Sequence, residues 1–380
     1  MSTRLTRIHV SAYRVPISKP VVTSFGVMTN RPAVFVRLED SDGAFGFGEI
    51  FANWPAAGAE HRARLVVEDF PDLLLGQSFA NASEFFETLT RQTHIRALQC
   101  GEWGPFRQVI AGLDTAFVDL QARREGLSVA RFLSPSAADM VPCYASGIAI
   151  DRATEQIPQS RELGFSAFKV KVGFNLDRDA ALLETIFGDL QSKEHLFADA
   201  NQAWTKDQAI AFLDRTKDVT PGWLEEPLPA DASLTDWTAV SEHSRASIAG
   251  GENITGTGGF ADAIASGAFD VLQPDVAKWG GISGCFRVAQ AIRAANLRFC
   301  PHFLGGGIGL AASAHVLAAT GGDGLLEVDV NPNPLRDAFD LWGDAPTKSL
   351  MSIPDAPGLG ITALPKDIGR YLTFEQTLTA

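Results

Sequence analysis

From Val141 to Asp329 the apolar residues fall into short runs, and each run is followed by a longer stretch whose apolar positions recur three and four apart. The runs are VPCYASG, SAFKVKVG, HLFADAN, PGWLEEP, ASIAGGE, FDVLQPD, LRFCPHF and GLLEVD. The stretches between them predict helices near Gln156–Leu163, Asp179–Leu190, Asp207–Thr216, Leu234–Ser244, Gly259–Ser266, Ile282–Ala294 and Leu310–Ala319. Runs that are apolar throughout, with helices between them, read as parallel strands covered on both faces. Eight such strands predict an α/β TIM-type barrel. An open doubly wound sheet would want a glycine-rich phosphate turn after its first strand, and VPCYASG has none.

The first third of the chain has a different rhythm and predicts an α+β cap. RIHVSAYRVPI alternates and stops at Pro16, and PAVFVRLEDSDGAFGFGEI is a hairpin turning at Asp40-Ser41-Asp42-Gly43. Ser18–Arg31 and the piece FANWPAAG read as irregular connections, both candidate lids, carrying Phe25, Phe51 and Trp54. Helices fill most of Ala59–Ala130. The expected division is a cap over 1–130, completed by a Pro/Gly-rich C-terminal segment over 345–380, around a barrel over 135–344.

Composition narrows the field without deciding it. With 380 residues, 46% hydrophobic and 20% charged, the chain can hold a large core. Its formal net charge of −13, with no basic cluster, argues against nucleic acid as a partner. No apolar run reaches the roughly 18 residues that a bilayer span needs. Cys100, Cys143, Cys285 and Cys300 are scattered without pair spacing, so reduced thiols and a cytoplasmic location are expected.

The strand ends carry the chemistry. Asp199, Glu225 and Glu252 close three successive runs, 26 and 27 residues apart, which in a barrel sets three carboxylates at one height. Such acids repel one another unless a cation lies between them, and oxygen-only ligands suit a hard divalent ion, Mg²⁺ first. Lys169 and Lys171, two apart on one strand, both face the interior. Side by side, they should lower each other's pKa and so make a base usable near neutral pH. Asp275 and His302 end neighbouring strands, where the carboxylate would fix the imidazole's tautomer. Asn201, Lys278 and Glu327 complete the rim. A rival reading has Gly305-Gly306-Gly307 cradling a phosphate, as in an aldolase-type barrel, and another has a silent barrel that only binds.

KVKVG, ADAN, WLEEP, GEN, QPDVAKWGG and PHF, in this order and spacing, resemble the enolase superfamily, and within it the mandelate racemase subgroup of the mandelate racemase/muconate lactonizing enzyme family. FGFGE and GLDTAFVDLQARREG resemble its capping domain and PGLGI its C-terminal segment. The resemblance implies a modified (β/α)7β barrel and Mg²⁺ held by Asp199, Glu225 and Glu252. It implies Lys171 as base on one face, Lys169 beside the enolate oxygen, and the Asp275–His302 pair as acid or base on the other face. Asn201, Glu226 and Glu327 would sit near substrate, and Lys278 would support it; Phe25 and Trp54 are expected over the substrate from their place in the candidate lids, since the cap loops match no single member of the family. After His302 the chain reads FLGGGIGLAASAH, glycine-richer than the mandelate racemase pattern, which implies a different pocket there. The implied activity is proton abstraction α to the carboxylate of a small-molecule substrate. Dehydration of an acid sugar is the first choice; racemisation, epimerisation or lactone cycloisomerisation is the alternative. Relatives are often dimers or octamers, so a homo-oligomer is expected.

Overall fold

The structure, a computed structural model, describes residues 2–342 and 347–380. The expected boundary between barrel and C-terminal segment, at 344/345, lies outside the described residues. No helix among the described residues is long and apolar enough to cross a membrane.

The cap is an antiparallel sheet in which Leu372–Thr379, Thr3–Thr23, Gly26–Asp40 and Phe45–Ile50 lie side by side in that order. Its last hairpin turns where the sequence predicts: the Asp40 carboxylate accepts the N–H groups of Asp42 and Ala44, each at 2.9 Å. Ser18–Arg31, by contrast, is not an irregular loop. The first two strands continue through it as a long ribbon that turns at Ser24-Phe25. Pro20 is accommodated because the pairing slips between Pro16 and Val21, and a bulge needs no N–H from proline. The strand Phe45–Ile50 lies against the helix Trp103–Arg124 so closely that a Cβ at Gly48 would come within 1.9 Å of the Gly112 carbonyl oxygen. That close approach explains the alternating glycines of FGFGE and aims Glu49, at the strand's end, toward the barrel.

The barrel strands are numbered here β1 to β8: Met140–Ala149, Ala167–Lys171, His195–Asp199, Trp223–Glu225, Ser247–Gly250, Val271–Leu272, Arg298–Phe299 and Leu326–Asp329. The helices between them are α1 to α7: Ala153–Glu162, Leu176–Gly188, Lys206–Arg215, Leu234–His243, Gly256–Ser266, Gly281–Ala294 and Gly307–Thr320. Seven strand–helix units and a closing strand make the (β/α)7β arrangement. The parallel ladder runs β7-β6-β5-β4-β3-β2-β1-β8. Between β7 and β8 the described residues form no ladder, and the seam is held instead by Arg298 Nε donating to the Asp323 carbonyl at 2.9 Å. The barrel floor is filled by Tyr144, Phe197 and Trp223, the last two stacked with ring centroids 3.5 Å apart. This apolar plug closes the interior below the charged layer. The tail both wraps the barrel and returns to the cap: Leu350–Ser352 pairs with the start of β1, and Leu372–Thr379 pairs with the first cap strand.

Buried acids join cap to barrel. Asp114, on the helix Trp103–Arg124, accepts the Ser283 N–H at 2.8 Å in the first turn of α6, while its other oxygen is buried without a partner. Burial pushes its carboxyl from the usual 3.8 up to about 7, against the pull of the Ser283 N–H. A carboxyl whose pKa rises on folding binds its proton more tightly in the folded chain. Its stabilising contribution is therefore complete below about pH 4 and is lost as pH climbs toward 7. Asp114→Asn keeps the acceptor and cannot ionise. Its thermal midpoint should gain on the parent's by a few degrees between pH 5 and pH 8, and a pH-independent gap would show that Asp114 titrates normally.

Candidate active site at the barrel mouth

In the parallel ladder Lys171 is the register partner of Asp199, and Asp199 is the partner of Glu225. One base and two acids therefore stand in a row at the C-terminal ends of β2, β3 and β4. Inward-pointing residues recur every second position, so Lys169 lies one level below Lys171. It is fully buried, with its ammonium 2.6 Å from Glu225, 2.8 Å from Glu327 and 3.5 Å from Asp199. Lys171 donates to Asp199 at 2.6 Å.

Lys169 does lower the Lys171 pKa, as their spacing suggests, but the carboxylates around the pair outweigh that effect. Burial lowers Lys169, but Glu225 and Glu327 overcome it and hold the ammonium well above its ordinary range. Burial likewise lowers Lys171, but Asp199, with Glu225 behind it, raises it above its ordinary value. Attraction to three carboxylates outweighs repulsion from one ammonium.

Across the mouth, His302 Nδ1 lies 2.7 Å from Asp275 and Nε2 lies 2.8 Å from Glu252. A carboxylate can only accept, so both ring nitrogens carry protons here. Burial opposes the charge, yet Glu252 and Glu327 hold the imidazolium well above its ordinary pKa. Lys278, on the loop after β6, donates to Glu252 at 2.8 Å and to Asn253 at 3.1 Å, with its ammonium 5.0 Å from the Phe51 ring centroid. Glu327 also accepts from the Ser146 hydroxyl and the Phe303 N–H. Four strands separate Lys171 from His302 one way round the ladder, and β1 and β8 lie between them the other way.

The three acids expected to share a cation are placed as two groups. Asp199 and Glu225 meet at Lys169, while Glu252 turns to His302 and Lys278. Among the described residues no three His, Cys, Asp or Glu side chains stand close enough to clasp one ion. Like charges repel, and each acid lies against a cation of the protein. The layer as a whole is still unbalanced. Asp199, Glu225, Glu226, Glu252, Asp275 and Glu327 face Lys169, Lys171, Lys278 and His302, six carboxyl groups against four cationic ones. Burial pushes Glu225 up to about 7, and burial with the neighbouring Glu252 raises Glu226 well above the usual carboxylate range, with one of its oxygens buried without a partner. An all-oxygen donor set in which carboxyls outnumber cations fits a hard divalent cation.

The cap ribbon reaches this layer. Ser24 Oγ, at its turn, donates to the Asn201 carbonyl at 2.5 Å, and Asn201 in turn donates its N–H to Asp199 at 2.8 Å. Phe25 sets its ring edgewise on Trp54, with centroids 5.7 Å apart. Phe25 remains 58% exposed, so it is not absorbed into the cap's own core. The phosphate cradle read from Gly305-Gly306-Gly307 is overturned. The N–H groups of Gly306 and Gly309 already donate to the Glu49 carboxyl, which burial raises to about 7 and which takes the place an anion would need.

Sequence reasoning passed over Trp223 and Gln273, which donate to Glu225 at 3.1 and 2.7 Å. Each lies two residues before an acid singled out from its strand, so period-two alternation could have found both. Nothing in the sequence marks Ser146 or Asn253.

Residues 6–134 match the mandelate racemase/muconate lactonizing enzyme N-terminal domain, and residues 152–367 match the enolase C-terminal domain-like family. The fold superimposes on a crystal structure named mandelate racemase/muconate lactonizing enzyme from Bordetella bronchiseptica RB50 with TM-score 0.92 and 41% identity, covering 98% of this chain and 100% of that one. The L-talarate/galactarate dehydratase from Salmonella typhimurium LT2, solved with Mg and L-lyxarohydroxamate, superimposes with TM-score 0.83 and 25% identity, covering 100% of this chain and 95% of that one. D-galactarolactone cycloisomerase from Agrobacterium fabrum is 27% identical over 376 residues, 95% of this chain and 96% of the relative. Cap and barrel are matched in order along nearly the whole length, and the chain belongs to the mandelate racemase/muconate lactonizing enzyme family of the enolase superfamily.

Proposed function

We propose that this chain is a Mg²⁺-dependent enzyme that removes the proton α to a substrate carboxylate and then expels a β-hydroxyl, dehydrating an acid sugar. The observation that carries the reading is the pair of proton-handling groups set apart around one acid-lined mouth: Lys171 on β2, and His302 with Asp275 on β7 and β6. Asp199, Glu225 and Glu252 would hold the ion. When bound, Mg²⁺ supplies positive charge that offsets the negative charge developing on the substrate carboxylate.

Lys171 takes the α-proton, which requires its neutral amine. Lys169 stands beside it as a fixed positive charge near the developing oxyanion. Asp275 holds His302 by Nδ1, so Nε2 is the nitrogen that delivers a proton to the departing hydroxyl. The β-hydroxyl leaves as water with the proton from His302, the α-proton stays on Lys171, and the resulting enol takes up a proton at carbon to become a 2-oxo acid. Glu327, Asn201 and Lys278 surround the substrate's polar groups. The ribbon turn at Ser24 and the Phe25–Trp54 pair cover the mouth and keep water out. The reading includes the cap over 1–130 and 345–380, the barrel over 135–344, a cytoplasmic location and a homo-oligomer.

A second reading rests on that aromatic pair. Phe25 and Trp54 suit a less polar substrate, for which His302 would return a proton to carbon, as in a racemase or epimerase. The similarity to the Agrobacterium cycloisomerase keeps lactone ring opening or closure within this second reading.

Incubation with Mg²⁺ in heavy water, across acid sugars, hydroxy acids and sugar lactones, separates the readings by NMR and mass spectrometry. Loss of water from an acid sugar is expected; α-deuterium without water loss would make the enzyme a racemase or epimerase. Lys171→Ala and His302→Asn should each lower turnover by at least about a thousandfold while circular dichroism and Mg²⁺ affinity stay near the parent's, since general acid–base groups contribute on that order. A fully active Lys171→Ala would remove the lysine from the mechanism. Glu225→Gln should weaken Mg²⁺ binding in calorimetry, and unchanged affinity would take Glu225 out of the ligand set.

A further inference from the structure

We propose that Glu49 of the cap is a positioning residue for His302: by capping α7 from outside the barrel, it fixes the loop that carries the imidazole. The inference builds on the role given to His302 in the proposed function.

The first N–H groups of a helix need acceptors, and α7 has no side-chain cap of its own; its N-cap is Gly306. The cap supplies the acceptor. Glu49, 4% exposed, accepts from Gly306 N–H at 2.5 Å through one oxygen and from Gly309 N–H at 2.8 Å through the other. The glycines admit it: a Cβ at Gly305 or Gly306 would stand 2.8 or 2.9 Å from one Glu49 oxygen, and a Cβ at Gly309 would stand 3.3 Å from the other. The glycine-rich run after His302 thus has a physical reason that no phosphate provides.

Neighbouring residues extend the same contact. Asn53 Nδ2 donates to the Leu304 carbonyl at 2.8 Å, two residues beyond His302. The Phe51 N–H donates to the Ala277 carbonyl at 3.3 Å, two residues beyond Asp275. Residues 49–53 therefore hold both loops that leave the His302–Asp275 pair. Glu49 does not touch His302; it acts through the backbone from Phe303 to Gly306. Because misplacing a reacting group by about 1 Å can cost on the order of a hundredfold in rate, a clasp on this backbone bears on turnover.

Glu49→Gln tests this, since it keeps the volume and one acceptor oxygen but turns an NH₂ toward the second N–H. Asn53→Ala, at a half-buried position, is the second variant. The first readout needs no substrate: the His302 ring C–H resonance in the metal-free protein, assigned by its disappearance in His302→Asn. That signal should move in both variants while the other histidines keep theirs. On the acid found by the heavy-water screen, kcat should fall about tenfold or more in Glu49→Gln, with KM and Mg²⁺ affinity within about twofold. A folded Glu49→Gln with an unmoved His302 signal overturns the proposal, as does a loss expressed in KM or Mg²⁺ affinity with kcat unchanged. If Glu49→Gln does not fold, an unmoved signal in Asn53→Ala overturns it alone. Full turnover by His302→Asn would instead sink the role given to His302, and the resonance would still report whether Glu49 positions it.

Discussion

Everything at the barrel mouth depends on the burial of Lys169. An ammonium with no exposure to water is tolerable only among anions, and here Glu225, Glu327 and Asp199 surround it. Those acids in turn tie β3, β4 and β8 to β2 by their side chains. The second lysine and the imidazole repeat the arrangement at the rim, each against carboxylates of neighbouring strands. The apolar plug of Tyr144, Phe197 and Trp223 beneath keeps water from relieving any of these charges. The outcome is a dense layer in which carboxyl groups outnumber cationic ones, an arrangement that suits a divalent cation.

A second constraint acts from above. Barrel helices begin at the mouth, so their unpaired N–H groups face whatever covers it. The cap covers it with acids: Asp114 meets the start of α6 and Glu49 the start of α7. Arg31 adds a buried pair with Asp329 at the end of β8, at 2.6 Å. Placing acceptor oxygens at the unpaired N–H groups of helix starts makes docking favourable and orientation-specific. It also excludes external anions from the helix start where a phosphate site was conceivable. Cap docking and the hold on the loops after β6 and β7 thus use the same residues, 49–53.

Most of the barrel was legible along the chain. Strands read as apolar runs and helices as periodic ones, and each predicted helix has an observed counterpart displaced by only a few residues at its ends. Parallel strands buried on both faces leave no ambiguity of period, and in-register neighbours set Lys171, Asp199 and Glu225 at one height. The cap was less legible. The ribbon over Ser18–Arg31 carries Pro20 and many polar residues, and it pairs only because a bulge takes that proline out of the ladder. Its partner strand and its contact at Asn201 supply order that its own composition does not. The lysine pair failed for a related reason: spacing along one strand reveals the like charge two residues away, but not the carboxylates arriving from three other strands.

By itself the sequence determined the alternation of strand and helix, the side of each strand that faces inward, and hence the set of ionisable groups at the mouth. Those follow from local periodicity, which the chain carries in every short window. Tertiary structure decided which acid answers which base, that Glu252 faces His302 and Lys278 while Asp199 and Glu225 meet at Lys169. It also decided that Glu49, more than 250 residues away in sequence, caps the helix after His302. Charge pairing is set by distance through space, and in a closed barrel that distance depends on strand register and on the cap that locks it.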